Sequence, residues 1–522
     1  MTPERGSAQL ARAGPWLLAG LVLFVLCFYL SAAAGYSQWD EAWFLRILDR
    51  LTSGDVLYQD VWFASTPLAV YGGMAFTFLF GTEVLALKAF VVLIFVLITL
   101  VSCRIDRQLG SRSRFHLFLI LAFLVYALRS DAPTTQLAIL FFLVCFSAAL
   151  TWTSQGITDG GGSTLAPLGS LVVGGLAAGF SFASKQNVGL LALSAFVLVL
   201  MVESKGAGIR QRAAGLFAVV LPFVLIIGVV SIPLLISGGW DKFIYYGFLD
   251  QGAYIRLAGV FYLPGLGILG ELLAGIRSPE DLRLVYPYTA YLIPIAAFGA
   301  LAVARVVMGP DPHGRGLVVL TFVTAGFLGM FPLAELTHLA YVLPPVLLGL
   351  GYGIRRVRPH LPPRLSRPLD AVVLLPLSLI LAFNLVSPIR RAVSDLYRVS
   401  SLPHFRGVLN RSVDEEQTLR EAQTLVDEVG RDRPFLLFPT ASVHYLVSGL
   451  DNRTPFDFPI AQVFGATGQQ EIIAAVREGR VDVVCLEASE YPLTPAALER
   501  FVRQNLSPGL DVGPCTMYRS ER

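Results

Sequence analysis

Asp40 and Glu41 sit side by side in the segment WDEAW, about five residues past the end of the first long apolar run. Two adjacent carboxylates at the mouth of a membrane span are costly to desolvate, so such residues face water or a cavity. A carboxylate at that depth can meet a lipid headgroup and a water-borne molecule together, which suits chemistry on a lipid-linked substrate. One carboxylate would serve as a base and the other as its binding partner. The plain alternative is a hydrated pair at a helix start, where acidic side chains complement the helix dipole. Closeness to the membrane boundary favours the chemical role.

Further ionisable residues gather in segments that reach the same side of the membrane. The first loop adds Arg46, Asp49, Asp55 and Asp60. Arg129 and Asp131 follow in RSDAPT, and Lys185 in SKQNVG. A long loop brings Asp241, Lys242, Asp250 and Arg256, and a short one brings Glu335 with His338 at its edge. Asp131 is either a second acid or acceptor ligand, or an N-cap for the helix starting near Pro133. Lys185 is either a phosphate-binding cation or a snorkelling lysine. Asp60 is placed first as the residue that orders its own loop, and His338 first as an interface histidine. No His and Cys cluster has metal-ligand spacing, and there is no P-loop. GLGILG at 265–270 matches a dinucleotide glycine pattern by chance, since it lacks a βαβ context. Gly175 and Gly179 form a G-x-x-x-G that allows close helix packing.

The elements that must hold these residues follow from composition and charge. Of 522 residues, 55% are hydrophobic and 15% charged, and mean hydropathy is +0.64. That balance excludes an ordinary soluble domain. A net charge of +3 gives no general case for a nucleic-acid partner. Apolar runs lie near 15–35, 84–103, 115–128, 134–152, 165–183, 188–202, 213–236, 285–307, 316–333, 338–354 and 369–388. Basic segments at 104–114, 205–212, 305–315 and 355–367 belong on the cytoplasmic side. Beginning inside and crossing at each run satisfies all four. The run TPLAVYGGMAFTFLF at 66–80 is the exception, being short and interrupted by Gly72-Gly73. Counted as a span it would turn every later basic loop outward, so it is placed at or dipping into the outer surface. The expected fold is mainly α: a polytopic membrane protein of about 11 transmembrane helices. A surface or re-entrant helix lies in its first outer loop. The N-terminus also imitates a secretion signal, with Arg5, Arg12 and Ala32-Ala33-Ala34. The topology needs the first span, which argues against cleavage.

From about residue 400 the chain turns polar. Helical periodicity appears at 414–430 and 469–478, and PFLLF at 434–438 and VDVVCLE at 481–487 look like strands. Residues 1–390 are therefore assigned to a transmembrane module with outer catalytic loops, and residues 391–522 to a small C-terminal α/β domain outside the cytoplasm. Cys27, Cys103 and Cys145 lie in or beside apolar runs as packing residues. Cys485 and Cys515 could pair in an oxidising compartment or stand as two thiols. Asn410, Asn452 and Asn505 head glycosylation sequons on the outer side, which matter only in a host that glycosylates.

Four passages carry a resemblance to a known family. WDEAWFLRILDRLTSGDVLYQDVWFASTPLAVY at 39–71 holds the acidic pair, a Gly-x-x-x-Tyr-x-Asp stretch and a Pro-Leu turn; RSDAPT at 129–134 holds a second acidic residue. SFASKQNVGLLAL at 181–193 and HLAYVLPPVLLGL at 338–350 are the others, and FPTASVHYLVSGLDNRTPFDF at 438–458 adds a likeness in the tail. Together they make the chain resemble the multispanning glycosyltransferases of the GT-C fold. The likeness is to the protein O-mannosyltransferase and aminoarabinose transferase-like group (glycosyltransferase family 39-like). It covers most of the chain, through the order and side of short motifs.

The resemblance implies transfer of one sugar from a polyprenyl-phosphate carrier to an acceptor hydroxyl on the outer face, with inversion. Asp40 would be the general base and Glu41 would orient the acceptor or a sugar hydroxyl. Asp131, Lys185, Arg129, Asp60, Arg256 and His338 would bind substrate. The acceptor is a lipid, a glycan or a protein, with membrane lipid as a further partner and no nucleic acid. No cofactor is required; a divalent ion between Asp40 and Asp131 is compatible with the sequence. Many members carry a Lys-Pro-Pro-Leu type segment near the lipid phosphate. Here Ala64-Ser65-Thr66-Pro67-Leu68 has no cation, so Lys185, Arg129 or Arg256 would supply the charge. The alternative function is a transporter or flippase of lipid-linked sugars, against which stands the gathering of acidic residues on one side only. Composition is compatible with a bacterial inner membrane and a periplasmic tail, with the endoplasmic reticulum as the fallback.

Overall fold

The computed structural model describes residues 3–38, 40–111, 133–156, 168–250, 262–278, 281–309, 311, 314–331, 333–362, 364, 378, 381–382, 385–430, 433–438, 442–457, 461–487, 496–513 and 515–520. Helices α1 (Pro3–Ala33), α2 (Asp40–Thr52), α3 (Leu68–Phe80) and α4 (Val84–Gln108) come first. They are followed by α5 (Pro133–Gly156), α6 (Leu168–Ser184), α7 (Gln186–Glu203) and α8 (Ile209–Ser237). The short α9 (Trp240–Ile244) runs into a π-helical turn at Tyr245–Leu249. Then come α10 (Tyr262–Ala274), α11 (Leu292–Met308), α12 (Arg315–Leu328) and α13 (Leu336–Val357). The tail carries β1 (Tyr397–Val399), β2 (Leu409–Arg411), α14 (Ser412–Val429), β3 (Phe435–Phe438) and α15 (Ser442–Ser448). It ends with α16 (Ala461–Arg477), β4 (Val483–Glu487), α17 (Ala496–Asn505), β5 (Ser507–Val512) and β6 (Cys515–Arg519).

Among the described residues, seven helical stretches are long and apolar enough to cross a membrane: Pro15–Ala33, Val84–Gln108, Pro133–Gln155, Gln186–Glu203, Ile209–Ser237, Pro287–Met308 and Leu336–His360. Each falls on an expected run. Two further runs, 165–183 and 316–333, form the shorter apolar helices α6 and α12. The run at 115–128 lies outside the described residues, as does most of 369–388. The chain is a mainly helical, multi-pass membrane protein. GLGILG forms part of α10 and is not a nucleotide-binding turn.

The chain divides into two compact units, one from residues 1–31, 91–229 and 261–389, the other from 32–90, 230–260 and 390–522. In the first, apolar helices pack with little room for side chains. A Cβ on Gly175 of α6 would stand 2.1 Å from the Val219 carbonyl oxygen of α8, so only glycine allows that approach. Phe146 of α5 stacks on Phe322 of α12 with ring centroids 4.8 Å apart. Ser181 Oγ of α6 donates to the Ala138 carbonyl of α5 at 2.9 Å, since a hydroxyl within a bundle must find an internal acceptor.

The second unit joins the first outer loop to the tail. Its sheet has the order β3-β4-β6-β5, with β3 and β4 parallel and the other pairs antiparallel. Helix α14 buries Glu415, Thr418, Ala422, Leu425 and Val429, one stripe at helical spacing. Leu425 and Val429 meet Phe435, Val483 and Met517 of the sheet in one core. A second core unites Ala42 and Leu45 of α2 with Val84, Leu402, Phe405, Val408, Val443 and Leu446. Cys485 of β4 and Cys515 of β6 form a disulfide with Cα atoms 5.5 Å apart.

Helix α3 has 13 residues, about 20 Å of rise, against the roughly 30 Å of hydrocarbon a span must cross. Gly72 admits the Phe90 ring, since a Cβ there would lie 2.6 Å from Phe90 Cζ. The glycine pair that interrupts the run is thus a packing device. Phe78, Leu79 and Phe80 at the end of α3 are exposed, as befits a helix dipping its tip into lipid.

Candidate active site

Asp40 and Glu41 open α2, and their environments are opposite because consecutive helical side chains diverge by about 100°. Asp40 is exposed. Glu41 is 3% exposed, and its Oε1 accepts a hydrogen bond from Lys88 Nζ at 2.7 Å, with Lys88 itself 1% exposed. Glu41 Oε2 accepts the Ser37 backbone N–H at 2.7 Å, while Ser37 Oγ accepts the Asp40 N–H at 3.2 Å. The turn presenting Asp40 is therefore tied through Ser37 and Glu41 to Lys88 of α4. Both Glu41 oxygens are engaged inside the protein. These bonds turn the Glu41 side chain inward, beside the turn that presents Asp40.

The far end of α2 is anchored by Arg50. Its Nε donates to Asp55 Oδ2 at 2.6 Å and Nη1 to Asp457 Oδ2 at 3.0 Å. Its Nη1 also reaches the Thr454 carbonyl at 2.9 Å, and Nη2 the Asp60 carbonyl at 2.8 Å. Burial opposes the Arg50 charge, but Asp457 and Asp55 outweigh it and raise its pKa above the ordinary arginine value. Asp457, 2% exposed, also accepts Asn452 Nδ2 at 3.1 Å and lies 3.6 Å from Arg46 Nε. Asn452 is 1% exposed with its amide spent on Phe456 and Asp457, so this sequon is closed to glycosylation in the folded chain.

Between these anchors runs the Gly-x-x-x-Tyr-x-Asp stretch. Tyr58 holds a positive φ of 69°, uncommon for a residue with a side chain. Its surroundings over-determine it: the ring is fully buried 5.0 Å from the Phe243 centroid, and the hydroxyl donates to the Ser65 carbonyl. Asp60 Oδ2 accepts the Val56 N–H at 2.9 Å, the loop-ordering role placed first for it. Trp62 N donates to the Pro455 carbonyl at 2.8 Å, joining loop and tail. Trp43, one turn on from Asp40, lies 6.2 Å from Trp62 and 6.1 Å from Phe63 between ring centroids.

Lys185 and His338 belong to the first unit. Lys185 separates α6 from α7, and its Nζ donates to Thr135 Oγ1 at 2.9 Å. Burial lowers its ammonium from the ordinary lysine range to about 8. Asn187 Nδ2 donates to the Gly329 and Phe331 carbonyls at 3.3 and 3.0 Å, fixing the start of α7. His338 Nδ1 lies 3.0 Å from Glu335 Oε1 at the start of α13, and the ring stands edge-on to Tyr341. Arg129, Asp131 and Arg256 lie outside the described residues. Among the described residues, no group of three or more His, Cys, Asp and Glu side chains converges as a metal-ligand set.

Three residues that hold α2 in place belong to no motif of the sequence: Lys88, Arg50 and Asp457. Lys88 was findable in principle, since a lysine within an apolar span demands a partner. Arg50 and Asp457 are separated by 407 positions and carry no local pattern.

No protein-family model matches the sequence, and no curated protein matches it. Solved structures from a bacterium and an archaeon share its architecture. ArnT from Cupriavidus metallidurans bound to undecaprenyl phosphate superposes with a TM-score of 0.56 at 14% identity, covering 97% of this chain and 98% of that one. The Archaeoglobus fulgidus oligosaccharyltransferase in complex with zinc and sulfate gives 0.53 at 12% identity, over 95% of this chain and 73% of that one. At such identities the likeness is one of fold, and the fold is the GT-C architecture of membrane glycosyltransferases.

Proposed function

We propose that this protein moves a glycosyl unit from a polyprenyl-phosphate carrier to an acceptor hydroxyl at the outer face of the membrane, with inversion. One observation supports it above the rest. Asp40 is held exposed on the first turn of α2 while Glu41 is anchored to Lys88, in a chain sharing its fold with ArnT bound to undecaprenyl phosphate.

In this mechanism the acceptor O–H proton passes to the Asp40 carboxylate. The acceptor oxygen forms a bond to the anomeric carbon from the face opposite the carrier. The bond from that carbon to the phosphate oxygen breaks, and its electron pair leaves with polyprenyl phosphate. Charge grows on the departing phosphate, where a fixed cation is worth most. Lys185 is our first candidate, with Arg129 and Arg256 the others. Asp131 and His338 are assigned to acceptor or sugar hydroxyls. Glu41 and Lys88 position Asp40, and Asp60 orders the loop beyond it.

Positive-inside placement of the basic segments puts α2 and the tail outside the cytoplasm. A disulfide in the tail suits an oxidising compartment. A bacterial inner membrane with the tail in the periplasm fits both. Membranes holding the protein should transfer label from radiolabelled polyprenyl-phosphate sugars to a new chemical bond in a soluble, lipid or protein fraction. No transfer from any donor in a broad panel sinks the proposal. Label moving across the bilayer without a new bond would instead mark a transporter.

A further inference from the structure

A cavity of about 500 Å³ lies within the second unit, apart from the turn that carries Asp40. Its walls come from the end of α2, the loop at 55–60, α9, the tail segment 451–455 and the α16 region out to Arg480. We infer that it is a subsite for an extended, neutral, polyhydroxylated acceptor, an oligosaccharide. Its role as an acceptor site rests on the transfer reaction proposed above; the ligand class rests on the cavity itself.

The charges of the wall cancel. Four carboxylates, Asp55, Asp60, Asp451 and Glu471, face four cations, Arg50, Lys242, Arg453 and Arg480. A balanced wall gives no net field to draw in a polyphosphate or a nucleic acid. Apart from Pro455, Ala474 and Ala475 the lining is polar, and it contains no aromatic or large aliphatic side chain. Ordinary small-molecule pockets are mostly apolar. This one therefore offers nothing to a prenyl tail, an apolar peptide or a stacked base. Gln59 adds an amide to the lining, while the amide of Asn452 is spent inside the tail. What remains is a ligand whose groups each donate and accept, as sugar hydroxyls do.

The wall is prepared for binding. The four bonds of Arg50 fix the loop on one side, and the buried Asn452 amide fixes the tail on the other. Such pre-organisation reduces the ordering cost of association. Among the described residues, Arg453 and Arg480 pair with nearby surface acids, Asp451 at 3.2 Å and Glu478 at 2.8 Å. Exposed pairs of that kind are weak, so both cations can turn to a ligand. Arg50 follows Asp40 by ten positions on one helix, about 15 Å along its axis. That is longer than one sugar ring. A chain of several rings is needed to lie in the cavity and reach Asp40, so the subsite selects extended acceptors over monosaccharides.

The test uses the full-length protein in lipid nanodiscs. Mono- to tetrasaccharides of glucose, mannose and arabinose are titrated, with binding read by saturation-transfer NMR. A serine- and threonine-rich peptide is a competing arm. Wild type and Asp40→Asn should bind a tetrasaccharide alike and about tenfold more tightly than the monosaccharide, about 1.4 kcal/mol. Glu471→Gln and Arg480→Ala should each lose about tenfold while keeping the wild-type melting temperature. Binding without chain-length dependence, unchanged binding in both cavity variants, or displacement of the tetrasaccharide by the peptide overturns the inference. Wild type that binds but never transfers would sink the proposed reaction and leave the subsite standing.

Discussion

Replacing Lys88 with methionine strands the Glu41 carboxylate in a site where it is 3% exposed. The lysine Nζ stands 2.7 Å from Glu41 Oε1, with neither partner open to water. Removing one member of such a pair leaves a buried charge uncompensated, at a cost of about 3–5 kcal/mol. Neutralising both should recover most of that loss, because the desolvation penalty disappears together with the attraction. Lys88→Met combined with Glu41→Gln should therefore be close to wild type. Urea titration of detergent-solubilised protein, followed through Trp43 and Trp62 fluorescence, measures both variants. Activity supplies a second reading. Glu41 holds the Ser37 N–H, and Ser37 holds the Asp40 N–H. The single variant should lower kcat for transfer more than it changes donor KM, since an interaction serving only the reacting geometry is lost. A single variant within about 1 kcal/mol of wild type, or a double variant no more stable than the single, refutes the buried-pair reasoning.

Cys485→Ser should weaken the tail. The bridge spans 30 residues, and loop-closure entropy sets its worth at about 3–4 kcal/mol, seen as a lower urea midpoint and faster tail proteolysis. Lys185 titrates near 8, below the 10.5 of an unfolded lysine. The unfolded chain thus holds the extra proton between those values. Stability should rise as pH climbs from about 8 to 10.5, and the cost of burying the charge is fully present below that window. Donor binding has the opposite sense: if Lys185 holds the phosphate, donor KM should rise as pH passes about 8, and Lys185→Arg should flatten that rise. Cysteines placed at Ser65 and at Ser111, in a background lacking Cys27, Cys103 and Cys145, should label on opposite sides with an impermeant reagent. Same-side labelling would overturn the placement of α3 as a helix that does not cross.

The spans were legible because about 20 apolar residues in a row leave a chain few choices in lipid. Helix α14 was legible because its buried positions recur at helical spacing and Gly430 ends it. Strands β3 and β4 showed as short apolar runs, but β5 did not. Pro508 and Gly509 break its alternation, and its register with β6 slips between Pro508 and Asp511 at the sheet edge. The exposure of Asp40 was legible from its place beside a span. The opposite environments of Asp40 and Glu41 were not, because they depend on Lys88, 47 residues away. The Gly72-Gly73 pair resembled an interruption and turned out to seat Phe90, a contact that only tertiary structure reveals.

The most direct measurement compares wild type with Asp40→Asn in a single-turnover transfer assay, using a polyprenyl-phosphate sugar that wild type accepts. The amide is nearly the same size and cannot take the acceptor proton. Loss of a positioned base predicts a rate at least about 100-fold lower with donor binding unchanged. An Asp40→Asn protein that transfers at the wild-type rate would contradict the account.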